Sequence, residues 1–385
     1  MELKFNNQKF NIMVIGDVHE KYEGGKETDD FLRMLNKMAD TLNPDLAVYM
    51  GDLVSQDVFD ENGNRSPATK EQILTQIKRI TDPLTSRNIP FAIVFGNHDG
   101  EGEDVFPKET LLELFREIPG FVVDDTVVTT EDIFGCGNGN ILIKSSDGTK
   151  NVFNLWLIDS GNLDPEGGYA RVQQDQIDWY ERTAAKLKDE NGGVPLPAAV
   201  FQHIPIPEEY ELLKETSKLN PLNTKGFGVM SDKYYLLDPE KATGYLGEGP
   251  AAPNVNSGEF ESWKRTGDVV CAFFGHDHMN EFTGELDGIV LRQCRGSGFH
   301  IYGDGLKQGV CMLRLNENDP RNFQITTHHY RDYFGTKSDT IKGYMLLSDR
   351  WHTNFKKTLT GLGIATGVTA AALGVKTLVK KLGRK

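Results

Sequence analysis

The sequence predicts an α/β fold with a ligand site at the carboxyl ends of its strands. Two observations carry this. In the N-terminal part, short apolar runs alternate with amphipathic segments, the rhythm of βαβ units and a mostly parallel sheet. Six apolar runs along the chain end in Asp, His or Asn, and open α/β sheets bind ligands outside the carboxyl ends of their strands.

The first run, "NIMVIGD", is short and uninterrupted by polar groups, the pattern of a buried strand. "TDDFLRMLNKMADTL" follows with Phe31, Leu35, Met38 and Leu42 at helical spacing, behind capping candidates Thr28 to Asp30. "DLAVYMGD" is a second strand. "TKEQILTQIKRITDPL" opens with a capping box, Thr69 and Gln72, and puts Ile73, Ile77 and Ile80 on one face. "IPFAIVFGNHD" is a third strand, and "VFNLWLIDSGN", "AAVFQHIP" and "VVCAFFGHDH" repeat the form. Strand alternation would set His276 and His278 of the last on one side. "GCGNGN" (135–140) has neither GxGxxG spacing nor a P-loop lysine and reads as a turn. The stretch from Asn220 to Ser257 is rich in Gly, Pro and Asn; a long loop between site-bearing strands is expected to act as a lid or specificity loop.

Composition narrows the function. Of 385 residues 38% are hydrophobic and 25% charged, which suits a soluble globular core, and the net charge is −14. An acidic surface repels phosphate backbones, so general nucleic-acid binding is not expected. Cys136, Cys271, Cys294 and Cys311 show no CxxC pair, and the N-terminus lacks the pattern of a signal peptide. A cytoplasmic location is the expectation.

The strand-end residues form a set: Asp17 and His19, Asp52, Asn97, His98 and Asp99, His203, then His276 and His278. Imidazole and carboxylate without thiolate suit borderline or harder divalent ions such as Mn, Fe, Zn, Co or Ni. A pair of such ions needs a shared anionic ligand, and an aspartate can bridge them. His300, His328, His329 and His352 have no metal spacing. No GxSxG or Cys/His pairing points to covalent hydrolysis.

The order DxH, GD, GNHD, H and GHDH, from about Ile12 to Gly303, resembles the calcineurin-like metallophosphoesterase superfamily. "IDSGN", "GGYARVQQDQIDWY", "FQHIPIPEEY", "PNVNSGEFESW" and "GHDHMNEFTGE" resemble its purple-acid-phosphatase-like subgroup. The resemblance implies two mixed β-sheets packed as a sandwich and flanked by helices. It implies a dinuclear centre, with manganese favoured. Asp17, His19, Asp52 and His278 would hold one ion, and Asp52, Asn97, His203 and His276 the other. His98 would stabilise the transition state or protonate the leaving oxygen, with Asp99 orienting it. Asp159, Ser160 and Tyr169 follow the fourth strand and are pocket candidates by position; Asn256 and Ser257 are candidates by the resemblance alone. Purple acid phosphatases carry an iron-binding tyrosine three residues after the bridging aspartate. Ser55 stands there in this chain, so a divalent pair is expected in place of coloured iron.

The function expected is phosphomonoester hydrolysis by a metal-bridging hydroxide, on a phosphorylated small molecule or phosphoprotein. Two alternatives stand: a diesterase acting on a cyclic nucleotide or lipid headgroup, and a membrane-tethered scaffold with a structural metal site. A catalytic domain over 8–335 would be followed by a linker (336–357) and a tail (358–385). The tail holds 18 uncharged residues from Thr358 to Val375, flanked by lysines, with Gly363, Gly367 and Ala371 four apart. A tail anchor, a basic helix lying on anionic lipid and a soluble packed helix all fit it; membrane association is the expectation.

Overall fold

A computed structural model describes residues 2–100, 106–122, 133–220, 222–303, 305–338 and 340. The tail and most of the linker lie outside them. Among the described residues no helix is long and apolar enough to cross a membrane.

Two sheets carry the fold. One runs, edge to edge, through Gln324–His329, Gly309–Asn316, Lys9–Ile15, Leu46–Tyr49 and Phe91–Ile93. Its last three strands are parallel, and Gly309–Asn316 runs antiparallel to both of its neighbours. The other runs through Leu3–Lys4, Gly139–Lys144, Asn151–Ile158, Ala198–Gln202, Val269–Phe274, Ile289–Gln293, Glu281–Leu286 and Ala242–Tyr245. Its four strands from Asn151–Ile158 to Ile289–Gln293 are parallel, between antiparallel neighbours. Both sheets are mixed.

Period-two alternation explains the layering, because every central strand is apolar on both faces. Ile12, Val14, Leu46 and Val48 of the first sheet pack against Phe153, Leu155, Phe201 and Phe273 of the second. Met13, Ile15, Ala47 and Tyr49 face outward, onto the helices Lys26–Leu42, Lys70–Thr85 and Lys108–Arg116. Trp156, Val200, Ala272 and Phe274 face the helices Gln174–Glu190 and Glu259–Thr266. The result is a sheet-on-sheet sandwich with helices outside. All four cysteines are buried free thiols.

The Thr69–Gln72 capping box forms as read. The preceding helix differs: it starts at Lys26 with Gly25 at its N-cap, one turn earlier than Thr28–Asp30 indicated. Those residues are used otherwise. Thr28 donates to Glu20 at 2.8 Å. Asp30 is buried and accepts from Tyr330 at 3.1 Å and Thr340 at 2.6 Å. Ser338 and Thr340 of the expected linker are therefore docked on the catalytic domain at Asp30.

Candidate metal centre and active-site cavity

Residues Asp17, Asp52, Asn97, His203 and His276 each follow a parallel strand by one to four positions. Three of those strands belong to one sheet and two to the other, so the donors meet where the layers meet. The approach is tight. A Cβ on Gly96 would come within 2.1 Å of Asp52 Oδ1 and 2.4 Å of its N, so only glycine lets these strand ends cross.

His19, Asp52 and His276 have φ of +47°, +51° and +70°, a left-handed conformation rare for residues with side chains. This corrects the strand-alternation argument for the paired histidines. The strand ends at Phe274, and His276 and His278 converge because the chain turns left-handed at His276. Asp277 fixes that turn from behind, accepting from Gln293 at 2.7 Å and Asn280 at 3.1 Å.

Asp17, His19, Asp52 and His278 offer donor atoms all within 4.8 Å of one another, and Asp52, His203 and His276 form a second such set. Asp52 is common to both. Its Oδ2 lies 3.3 Å from His19 Nε2 and 3.2 Å from His203 Nε2. Asn97 Oδ1 is 3.1 Å from the same His203 nitrogen. With Nδ1 held by Met50 O at 2.7 Å, His203 turns Nε2 toward the cluster.

Every member of the first set leaves a buried atom without a hydrogen bond: Asp17 Oδ2, His19 Nε2, Asp52 Oδ2 and His278 Nδ1. An unsatisfied buried polar group costs about 1–3 kcal/mol. Four on residues that cluster in this way point to something else that fills the site, and nitrogen and oxygen donors fit divalent cations. Charges within the cluster are already displaced. Burial alone would lower the His203 pKa, but Asp52 and Asp17 outweigh it and push it up to about 9. Burial raises Asp17 to about 6 against the pull of His203. Burial and His203 lower His276 to about 3.

Asp99 has a different task from the one expected. Its carboxylate accepts from the backbone N–H of Asp52 (2.8 Å), Leu53 (2.9 Å) and Gly96 (2.8 Å). It braces the loop carrying the shared aspartate and does not orient His98 through these bonds. His98 donates its N–H to Asp52 Oδ1 at 2.8 Å, and its ring lies 5.1 Å from that of His19.

Above the donors opens a cavity of about 570 Å³, bordered by Asp52, His98, His276 and His278 below and by Tyr169, Lys225 and Phe227 at the side. Tyr169 thus falls where it was expected, and the excursion from Asn220 contributes a wall. The other four candidates do not border this cavity. Asp159 is buried, pairs with Lys108 Nζ at 2.8 Å and accepts from Cys136 N at 2.8 Å, so the glycine-rich turn closes on it. Asn256 is exposed and donates to Glu208 at 2.7 Å. Ser160 takes a supporting position, accepting from Ile204 N beside His203 at 3.0 Å. Ser257 accepts from Glu259 N at 3.3 Å.

Sequence reasoning missed Lys225, Phe227 and Glu248 on the cavity wall. Glu248 accepts from Met279 N at 3.0 Å and Tyr302 Oη at 2.8 Å. "GFG" was the available signal for Phe227: an aromatic between two glycines has little to pack against locally. His300 contacts Thr28 at 3.0 Å and His329 contacts Glu281 at 2.7 Å, away from the cluster. His352 lies outside the described residues.

The chain is similar to several known proteins. "Probable inactive purple acid phosphatase 14" of Arabidopsis thaliana is 27% identical, with 91% of this chain and 84% of that protein covered. "Phosphatase DCR2" of Saccharomyces cerevisiae is 28% identical, covering 81% of this chain and 52% of that one. A dimetal phosphatase from Danio rerio of known structure is 12% identical with a TM-score of 0.45, over 83% of this chain and 99% of that one. A family model for the calcineurin-like phosphoesterases matches residues 10–280, the segment that supplies all seven donors and both sheets' central strands. The chain belongs to the calcineurin-like phosphoesterase family.

Proposed function

We propose that the protein is a phosphomonoesterase dependent on two divalent cations. The observation that carries this is the convergence of two donor sets that share Asp52, with His98 beside them, under one open cavity. Asp17, His19, Asp52 and His278 would hold one ion, and Asp52, His203 and His276 with Asn97 the other. When bound, the ions supply water activated at neutral pH and neutralise charge on the phosphoryl oxygens.

The chain's own residues do the rest. Asp52 draws the two sets together, and its Oδ1 holds His98 in place through the backbone. His98 protonates the departing ester oxygen as its bond to phosphorus breaks and the bond from water forms, releasing an alcohol and inorganic phosphate. The name of the yeast relative favours turnover. Three plant relatives carry the name "Probable inactive purple acid phosphatase". In this chain the expected donor set and His98 are all present, which favours activity.

The test uses the full chain, stripped with chelator and reloaded with manganese, assayed on an aryl phosphate monoester and the matching diester. Hydrolysis of the monoester, lost together with metal content in Asp52→Asn, is the expected result. Preference for the diester would overturn the monoesterase assignment. No turnover of either at full metal content would leave the donor set as structure alone.

A further inference from the structure

The cavity wall carries an aromatic ledge that the hydrolytic chemistry does not use. Tyr169 meets His276 edge-on with ring centroids 4.2 Å apart, and Phe227 stacks on Tyr169 at 5.4 Å with 24° between the planes. Both rings border the cavity, and Phe227 is 39% exposed. The ledge thus starts against a candidate metal ligand and runs outward from it.

An exposed phenylalanine between glycines would ordinarily be loose. This one is held. Its N–H donates to Tyr210 Oη at 2.8 Å, which itself donates to Pro250 O at 2.9 Å. Asn254 ties the two ring-bearing loops together. Its Oδ1 accepts from Val229 N at 3.0 Å, and its Nδ2 donates to Gly167 O at 2.9 Å, two residues before Tyr169. Glycines 168 and 228 leave it room, since a Cβ there would come within 2.6 and 2.2 Å of the amide. Fixing a flat apolar surface in advance removes the ordering cost that a mobile loop would impose on binding.

We infer that the site selects phosphate monoesters of aromatic alcohols, with the alcohol's ring lying along Tyr169 and Phe227 while the phosphoryl group meets the donor cluster. This rests on the monoesterase reading above. Ring-on-ring contacts prefer offset-stacked or edge-on arrangements at the spacings this ledge offers, and they favour a ring over an aliphatic group by roughly 3- to 10-fold.

Binding tests this apart from turnover. Calorimetry on the manganese-loaded full chain compares phenylphosphonate with propylphosphonate, neither of which is hydrolysed. The expected result is tighter binding of the phenyl compound by roughly 3- to 10-fold. Phe227→Ala should erase the difference, Phe227→Tyr should retain it, and Asn254→Ala should reduce it by freeing the loops. The kcat/KM ratio of phenyl over propyl phosphate should fall by the same factor in Phe227→Ala; comparing variant with wild type removes the intrinsic reactivity of aryl esters. Equal binding of the two phosphonates, or an undiminished phenyl preference in Phe227→Ala, overturns the inference alone. Failure of both to bind at full metal content overturns the monoesterase reading with it.

Discussion

Asp99→Asn separates two roles for a carboxylate beside the candidate catalytic histidine. The ionised group serves three backbone N–H donors, Oδ2 taking Asp52 and Gly96 and Oδ1 taking Leu53. Burial and the Asp52 carboxylate push its pKa up, while the Gly96 and Leu53 amides pull it back. An asparagine can keep its oxygen toward Asp52 and Gly96, but its NH2 then faces the Leu53 N–H. One charge-assisted bond is lost, two are weakened, and a buried donor is orphaned. At about 1.5–3 kcal/mol for a bond to a charged group and 1–3 for an orphaned donor, the total is about 3–5 kcal/mol. Larger domains lose about 2–4 °C of Tm per kcal/mol, so thermal unfolding should come about 6–20 °C earlier. Metal content measured after desalting should fall as well, because the loop that moves carries Asp52. If instead Asp99→Asn kept its Tm and its metals and only the pH dependence of kcat moved, the carboxylate would be acting on His98, and the bracing argument would be wrong.

Two further changes test neighbouring claims. His98→Ala should retain both metals and slow turnover by roughly 10²–10⁴-fold, the range for a lost general acid; metal analysis showing empty sites in that variant would make His98 a ligand. Glu259 is buried, and burial foremost, with Glu208 adding to it, raises its pKa from 4.5 to about 8. Its protonated form is favoured in the folded state, so its contribution to stability is full below pH 4.5 and is lost as pH rises through 8. Glu259→Gln should remove that loss, on the order of 4 kcal/mol, raising Tm at pH 9 and leaving it nearly unchanged at pH 4.5. Parallel Tm-against-pH curves for variant and wild type would refute the assignment.

The sequence made the central strands legible because they are apolar on both faces and end at chemistry-bearing residues. Ile12 to Ile15 and Leu46 to Tyr49 could be read directly. The pairing of two sheets could not, since the contacts of Val48 with a strand a hundred residues away leave no periodic trace. Resemblance, not patterning, supplied that feature. At the site, residue types and order were enough to gather the donors. Direction was not: Asp159 and Asn256 sit in suitable motifs yet turn to Lys108 and Glu208. A short polar side chain after a strand can as readily close a turn as face a ligand, and only tertiary neighbours decide which.

Left-handed backbone at a residue with a side chain costs of order 1–3 kcal/mol, and the cluster bears it three times. Each strained residue is bonded, through its own N–H, to another strand end. His19 donates to Asp52 O at 2.8 Å, Asp52 to Asp99 at 2.8 Å, and His276 to Asp17 Oδ1 at 3.0 Å. The donors therefore brace one another across both sheets, and the polypeptide sets the directions of the side chains. What it leaves unmet is charge and hydrogen bonding at four buried atoms, partly offset by a proton on His203. Cations meeting those atoms would find the donors already aimed and would have chiefly to displace protons. Affinity at such a site rises with pH for that reason, while the fold, carried by the sheet-to-sheet core, does not depend on occupancy in the way a small metal-nucleated domain does.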